Sequence, residues 1–324
     1  MADISLSRAI DVHSHFLTPS YQDALREAGL GQADGIPAVP TWSAPEALSL
    51  MDELRIGAMV LSVSSPGVHF GDDARARALA RRVNDEGAEI VAGHPDRFGL
   101  LASLPLPDVD GALAELGHAF DDLGADGVVL LTNAGGRYPG DPAFAPVLAE
   151  LDRREAAVLL HPTSACGWEH VSPNRPRPLI EFPFDTTRAV LDLVFSGSLE
   201  RYPGIRFIVP HTGGMLPMLA DRVQSLGNAF DVEGTPADVV SVLRRLYYDT
   251  AGAALPRALP ALLGLVDPSR LLYGSDYPFT PAGVVRSLAG QLADTAVLEP
   301  AERENMLRHT AGDVFPRLSG GAVS

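Results

Sequence analysis

The chain has 324 residues, 46% of them hydrophobic, and a mean hydropathy of +0.09, enough apolar material for a large core. A net charge of -16 and a pI near 4.9 argue against nucleic acid and anionic membranes as partners. All 25 basic residues are arginine, which excludes a Schiff-base lysine, a phosphate-loop lysine and a carbamylated lysine bridging two metals.

The N-terminal stretch "MADISLSRAI" lacks the basic and long apolar regions of an export signal. No apolar run reaches membrane-spanning length. Cys166 is the only cysteine, so no internal disulfide forms. The expected compartment is therefore the cytoplasm.

Taken in order, short apolar, β-branched runs recur along the chain. They are "AIDVHSH" (9–15), "AMVLSVS" (58–64), "FGLLASLPL" (98–106) and "DGVVLLTN" (126–133), then "AAVLLHP" (156–162), "IRFIVPHTGG" (205–214), "LYYDTAG" (246–252) and "RLLYGSDYPF" (270–279). Between them, stretches such as "DDARARALARRVNDEGAEIVAGH" and "TTRAVLDLVFSGSLERYP" carry apolar residues at three- and four-residue spacing, the mark of amphipathic helices. Eight strands alternating with helices predict an α/β fold, a (β/α)8 TIM barrel, as a single domain over 1–324. No G-x-G-x-x-G follows the first strand, which counts against a dinucleotide-binding open sheet. The long segment 16–57 is expected to be an insertion over the active-site face, and 163–184 a second long loop.

The chemistry-bearing residues fall at strand ends. His13 and His15 end the first predicted strand, where i and i+2 side chains share a face. His161 ends the fifth, His211 the sixth and Asp276 the eighth. The C-terminal ends of barrel strands converge on one face, where such folds keep their sites. One H-x-H is a weak signal, and a lone strand-end histidine is more often a satisfied core residue. Four of nine histidines and an aspartate on one face form a pattern that points to a metal. Imidazole plus carboxylate suits a borderline divalent ion, Zn2+ first, with Mn2+ possible, in an open and therefore catalytic site. Asp249 ends the seventh strand and either orients these ligands or caps a helix. Phe16, Trp168, Phe182 and Phe279 flank the site and could wall an aromatic ring. Arg175 and Arg177 read as solvated loop charge that could also meet an acidic substrate, and Cys166 as structural.

The motifs "DVHSHF", "LLHP", "PHTGG" and "YGSDYPF", in that order, resemble the amidohydrolase superfamily. The stretch "FPFDTTRAVLDLVFSGSLERYPGIRFIVPHTGGMLPMLADR" is similar to its decarboxylase branch, which includes aminocarboxymuconate-semialdehyde decarboxylase and the salicylate- and resorcylate-type decarboxylases. The resemblance spans about residues 9–315. It implies a metal on His13, His15, His161 and Asp276, with His211 as acid/base or as the group that orients a metal-bound water. It implies that Arg222 reaches into a neighbouring subunit to hold a carboxylate, hence a homodimer or larger homo-oligomer. Some relatives have Glu where His13 stands, and His13 leans toward zinc.

The activity expected is non-oxidative decarboxylation of a small aromatic acid of the ortho-hydroxybenzoate type, or of an unsaturated carboxylic acid. His211 and Asp276 are the proton donors in view. The alternative is a mononuclear metal-dependent hydrolase of a lactone, amide or ester. Serine hydrolysis has no support, since "YGSDYP" lacks the second glycine of a nucleophile elbow.

Overall fold

The computed structural model describes residues 6, 8–171, 174–230, 232, 234 and 236–319. Eight strands run in parallel in the order in which they occur in the chain. They are β1 (Ala9–His15), β2 (Ile56–Ser62), β3 (Phe98–Ser103), β4 (Gly127–Leu131), β5 (Ala157–His161), β6 (Arg206–Val209), β7 (Tyr247–Asp249) and β8 (Leu271–Leu272). The Val12 and His15 amides donate to the carbonyls of Tyr273 and Tyr277, which joins β8 back to β1. The result is the expected (β/α)8 barrel.

Helices cover the outside. The principal ones are α1 (Pro19–Glu27), α2 (Ala44–Leu54), α3 (Asp73–Gly93), α4 (Val109–Gly117), α5 (Ala145–Arg153), α6 (Glu181–Phe195), α7 (Leu216–Ala229) and α8 (Ala282–Ala293). Their starts are written locally. Thr18, Ser43, Asp72 and Asp108 each accept a hydrogen bond from an amide three residues on, as helix-capping side chains do.

Two apolar clusters divide the burial. The larger lies between strands and helices. The smaller fills the barrel lumen, with Ile10, Val12, Val60, Leu101, Leu159 and Ile208 among its members. Ala311, Val314, Phe315 and Leu318 join it from the C-terminal segment and plug the N-terminal end of the barrel.

Two sequence expectations change. The segment 16–57 contains two helices, but α2 packs outside β2 as an ordinary crossover helix, burying Ala47, Leu50, Met51 and Leu54. The part that inserts over the face ends before α2. The second change is in β1, whose regular alternation is broken. Asp11 pairs with Met59 and Ser14 with Leu61, so three steps on β1 oppose two on β2. That is a bulge, and it re-aims side chains. Val12 faces the lumen core, and the next residue, His13, also turns inward to the histidine cluster.

Candidate metal centre and its cavity

Ligand atoms of His13, His15, His161 and Asp276 lie within 4.8 Å of one another. The rings of His13, His15 and His161 sit edge to face with centroids 4.8–5.2 Å apart. A glycine is required here: a Cβ at Gly274 would come within 2.9 Å of the His13 Cβ. This accounts for the glycine in "YGSD". Asp276 has φ +59°, a left-handed conformation uncommon for a residue with a side chain. Its amide donates to the His13 carbonyl at 2.8 Å, which ties β8 to β1 beside the cluster.

Each histidine is oriented from behind. Nδ1 of His13 meets Oδ2 of Asp249 at 2.8 Å. Nδ1 of His15 meets the Ser62 hydroxyl at 3.0 Å, and Nδ1 of His161 meets the Pro162 carbonyl at 2.8 Å. A carboxylate or carbonyl accepts only, so for His13 and His161 the proton is on Nδ1 and the Nε2 lone pair faces inward. Nε2 of His13 is buried and has no hydrogen-bond partner among the described residues. An orphaned buried nitrogen aimed at two further imidazoles and a carboxylate fits a divalent cation.

The electrostatics agree. Burial lowers the pKa of His15 and lowers that of His161 well below the ordinary value, which favours the neutral, ligating form. Burial also opposes charge on His13, but the Asp249 carboxylate beside it lifts its pKa to about 9. His13 Nε2 would give up that extra proton to hold a cation. Burial would raise Asp276, but the hydrogen bond with His15 at 3.1 Å and the nearby rings of His211 and His13 hold its carboxyl well below the usual range.

His211 lies in a tight turn after β6 with φ +54°, its Nε2 3.7 Å from Oδ2 of Asp276. Its Nδ1 is buried without a partner among the described residues. Asp249 holds this turn too: its Oδ1 accepts from the His211 amide at 3.0 Å while its Oδ2 holds His13. One carboxylate at the end of β7 thus sets both a ligand and the candidate acid/base.

Above the cluster opens a cavity of about 770 Å³, floored by His161, His211 and Asp276. Phe182 and Phe279 line it, and the Phe279 ring lies 5.4 Å from His15. Two expected wall residues do not. Phe16 follows the last residue of β1 and points outward; it is buried in the barrel–helix core against Trp42. Trp168 lies under the guanidinium of Arg177, 3.8 Å away, outside the cavity lining. Arg177 itself donates to Ser164 at 2.9 Å and does not line the cavity either. Arg175 and Cys166 are exposed. Arg222 is exposed on α7 and does not line this chain's cavity.

Sequence reasoning passed over four residues around the site. Asp11 is fully buried, accepts from the amides of His13 and Ser275, and is pushed up to about 7 by burial. Its position inside "DVHSH" was the available signal. Ser62, at the end of β2, backs His15, and Ser64, two residues on, lies 3.4 Å from Nε2 of His161 on the side that faces the cluster. Asp34 lines the cavity from the insertion, and no local pattern marks it.

The amidohydrolase family pattern matches residues 10–317. The 6-methylsalicylic acid decarboxylase of Penicillium expansum is 34% identical, over 96% of this chain and 97% of that protein. A solved amidohydrolase II is 37% identical with a TM-score of 0.90, covering 95% of this chain and 99% of that one. A dihydroxybenzoic acid decarboxylase from Polaromonas sp. JS666, solved with bound manganese and the inhibitor 2-nitroresorcinol, has a TM-score of 0.83 at 24% identity, over 95% and 96% of the two chains.

Proposed function

This chain belongs to the amidohydrolase family, and from that premise we propose that it is a metal-dependent, non-oxidative decarboxylase of an ortho-hydroxybenzoate, with 6-methylsalicylate as the leading candidate. The observation that carries the reading is the inward convergence of three imidazole Nε2 atoms and the Asp276 carboxylate beneath a cavity of aromatic size. His13, His15, His161 and Asp276 would hold the cation, Zn2+ by the imidazole-rich donor set, with Mn2+ the other candidate. When bound, the cation supplies Lewis acidity and a template for a carboxylate oxygen and its ortho hydroxyl.

The chain's own residues then supply position and a proton. Phe279 and Phe182 offer faces and edges to an aromatic ring and exclude water from one side of it. Asp276 and His211 share a 3.7 Å contact, so either can deliver a proton to the ring carbon that bears the carboxylate. The carbon–carbon bond then breaks, its electron pair restores the aromatic ring, and carbon dioxide leaves. Asp249 keeps His211 in place through the backbone without touching substrate.

The active unit in this reading is a homodimer or larger. Met218 is 68% exposed one helical turn from Arg222 on α7, and Leu179 and Phe230 are also exposed large apolar residues. A second copy seated on α7 beside Met218 is the arrangement this reading requires of Arg222. The cytoplasm is the proposed compartment. Among the described residues no helix is long and apolar enough to cross a membrane, and Cys166 is a free thiol.

The test is carbon dioxide release from 6-methylsalicylate, salicylate and 2,6-dihydroxybenzoate by zinc- and manganese-loaded protein, with chelated protein as blank. Metal-dependent release is expected. No release from any acid, with turnover of a lactone or amide panel instead, would reassign the same residues to a hydrolase.

A further inference from the structure

The insertion after β1 does more than cover the barrel. At its centre Asp34 is only 8% exposed, lines the cavity, and has φ +53°. Left-handed backbone is tolerated by Asp and Asn better than by most residues, yet it is still a constrained way to place a side chain. Ser164 donates its hydroxyl to Oδ1 of Asp34, and Arg177 donates in turn to the Ser164 oxygen at 2.9 Å. Arg177 is fixed from its other side by the Trp168 ring. The neighbouring Gly35 approaches so closely that a Cβ there would come within 2.6 Å of Nη1 of Arg177. The chain Trp168–Arg177–Ser164 therefore clasps the insertion to the loop after β5 and holds one carboxylate in one orientation. Oδ2 of Asp34 receives no hydrogen bond among the described residues and is not sealed from the cavity.

The rest of the lining gives this carboxylate its meaning. Asp34 and Asp276 are the only acids among the described lining residues, and none of those residues is an arginine. Asp276 belongs to the cationic end of the site once a metal is bound. Asp34 belongs to the insertion, among Ile36, Leu179 and other apolar groups. The two acids thus enter one cavity from different elements, Asp276 from the strand ends and Asp34 from the insertion. Arg177 offsets part of the Asp34 charge through Ser164, and what Asp34 offers a ring held at the cluster is one free acceptor oxygen of fixed direction.

We infer that Asp34 is a specificity-determining residue. It accepts a hydrogen bond from a donor on the far side of the substrate ring and excludes rings that carry a second carboxylate there. This deepens the decarboxylase reading and rests on it only for the identity of the group held at the cluster. The substrate class that follows is a monocarboxylate ring whose opposite edge is apolar or donates a hydrogen bond. Discrimination of this kind comes from leaving the wrong ligand's charge unpaired in a desolvated pocket.

The test uses matched ligands that differ in one group: 4-carbamoyl- against 4-carboxysalicylate, and the corresponding 5-substituted pair. Dissociation constants are measured by calorimetry on zinc-loaded wild type and Asp34→Asn. Asparagine keeps the left-handed backbone and the shape while removing the charge. Wild type is expected to bind the carbamoyl member of at least one pair ten-fold or more tightly over its carboxylate twin. Asp34→Asn should bring that ratio within about three-fold. If D34N fails to fold, Ser164→Ala, which releases Oδ1 of Asp34 from its tether, should lower the same ratio. An unchanged ratio in the folded variant, or a wild type that binds both twins equally, overturns the inference. Because the readout is binding, a protein that releases no carbon dioxide yet loses its preference in D34N would sink the decarboxylase reading and leave this one standing.

Discussion

The two ends of the barrel are built from the same eight strands and are buried to the same degree, but they bury opposite things. At the N-terminal end the lumen closes on Ala311, Val314 and Phe315, each 1% exposed or less, packed on Ile10 and Val12. At the C-terminal end, within a few residues along the same strands, lie Asp11, His13, His15, His161 and Asp249, all nearly or wholly sealed from solvent. The plug gains about 25 cal/mol for each Å² of apolar surface removed from water. The cluster buries ionisable groups, and it left nitrogens of His13 and His211 and an oxygen of Asp11 without partners among the described residues. One end holds the fold together; the other draws on that stability to keep ligands pointed at a shared centre. Left-handed non-glycine backbone does not separate the ends: His211, Thr212 and Asp276 adopt it at one, and Arg8, Arg55 and Glu155 at the other.

That contrast can be broken by experiment. The largest effect is expected at the cluster. His161→Ala removes a ligand that opens onto the cavity and should lower kcat/KM by about 10³-fold or more, since a bound cation contributes several kcal/mol to the transition state. The metal-free thermal midpoint should move little, by calorimetry. Next comes the plug. Phe315→Ala should cost about 3–5 kcal/mol in denaturant unfolding while leaving the turnover of the folded fraction within about two-fold. If H161A lost as much stability as F315A, the division of labour between the ends would be wrong. The comparison is sharpened by Asp249→Asn, which keeps an acceptor oxygen for the amides of His211 and Ala251 and puts a donor NH2 behind His13 in place of its acceptor. Metal affinity should fall about 10–100-fold by competition with a chromophoric chelator.

The smallest effect lies at neither end. His118, in the outer helical layer, meets Asp85 at 2.7 Å and Asp122 at 2.8 Å, and the hydrogen bond with Asp85 raises its pKa above 6.5. Its stabilising contribution is therefore complete below pH 6.5 and is lost as pH climbs through the raised folded value. It is partly exposed, so about 0.5 kcal/mol is the scale. The gap in melting temperature between wild type and His118→Gln should be widest near pH 5.5 and vanish by pH 9.

Much of this was readable before any coordinates. Alternation of β-branched runs with amphipathic stretches identifies the barrel because each period, two or 3.6, is a local property of the chain. The cluster is readable because a parallel barrel gathers strand ends whatever their separation in sequence, so His13, His161 and Asp276 needed only to sit at such ends. Residues whose role depends on direction were not readable in the same way. Phe16 is one position beyond His15 and faces the opposite side, which strand alternation does predict once the register is known. Trp168 and Arg177 satisfy one another, and nothing in "GWEHVSPNRPRPL" announces that pairing. Asp34 acts through a tertiary contact with a loop 130 residues away, a distance over which local pattern carries no information.

The bulge in β1 carries one more consequence. In an unbroken strand the lumen would receive either Ile10 and Val12 or the two histidines, because every other side chain faces each way. The surplus residue opposite the Met59–Leu61 step shifts the phase of the pattern midway, so the apolar set serves the barrel and the imidazoles serve the centre. Taking Val12 out would restore plain alternation with Ile10, His13 and His15 all on the inner face, so the surplus residue adds an apolar lumen side chain beneath the imidazoles without turning them away from the centre.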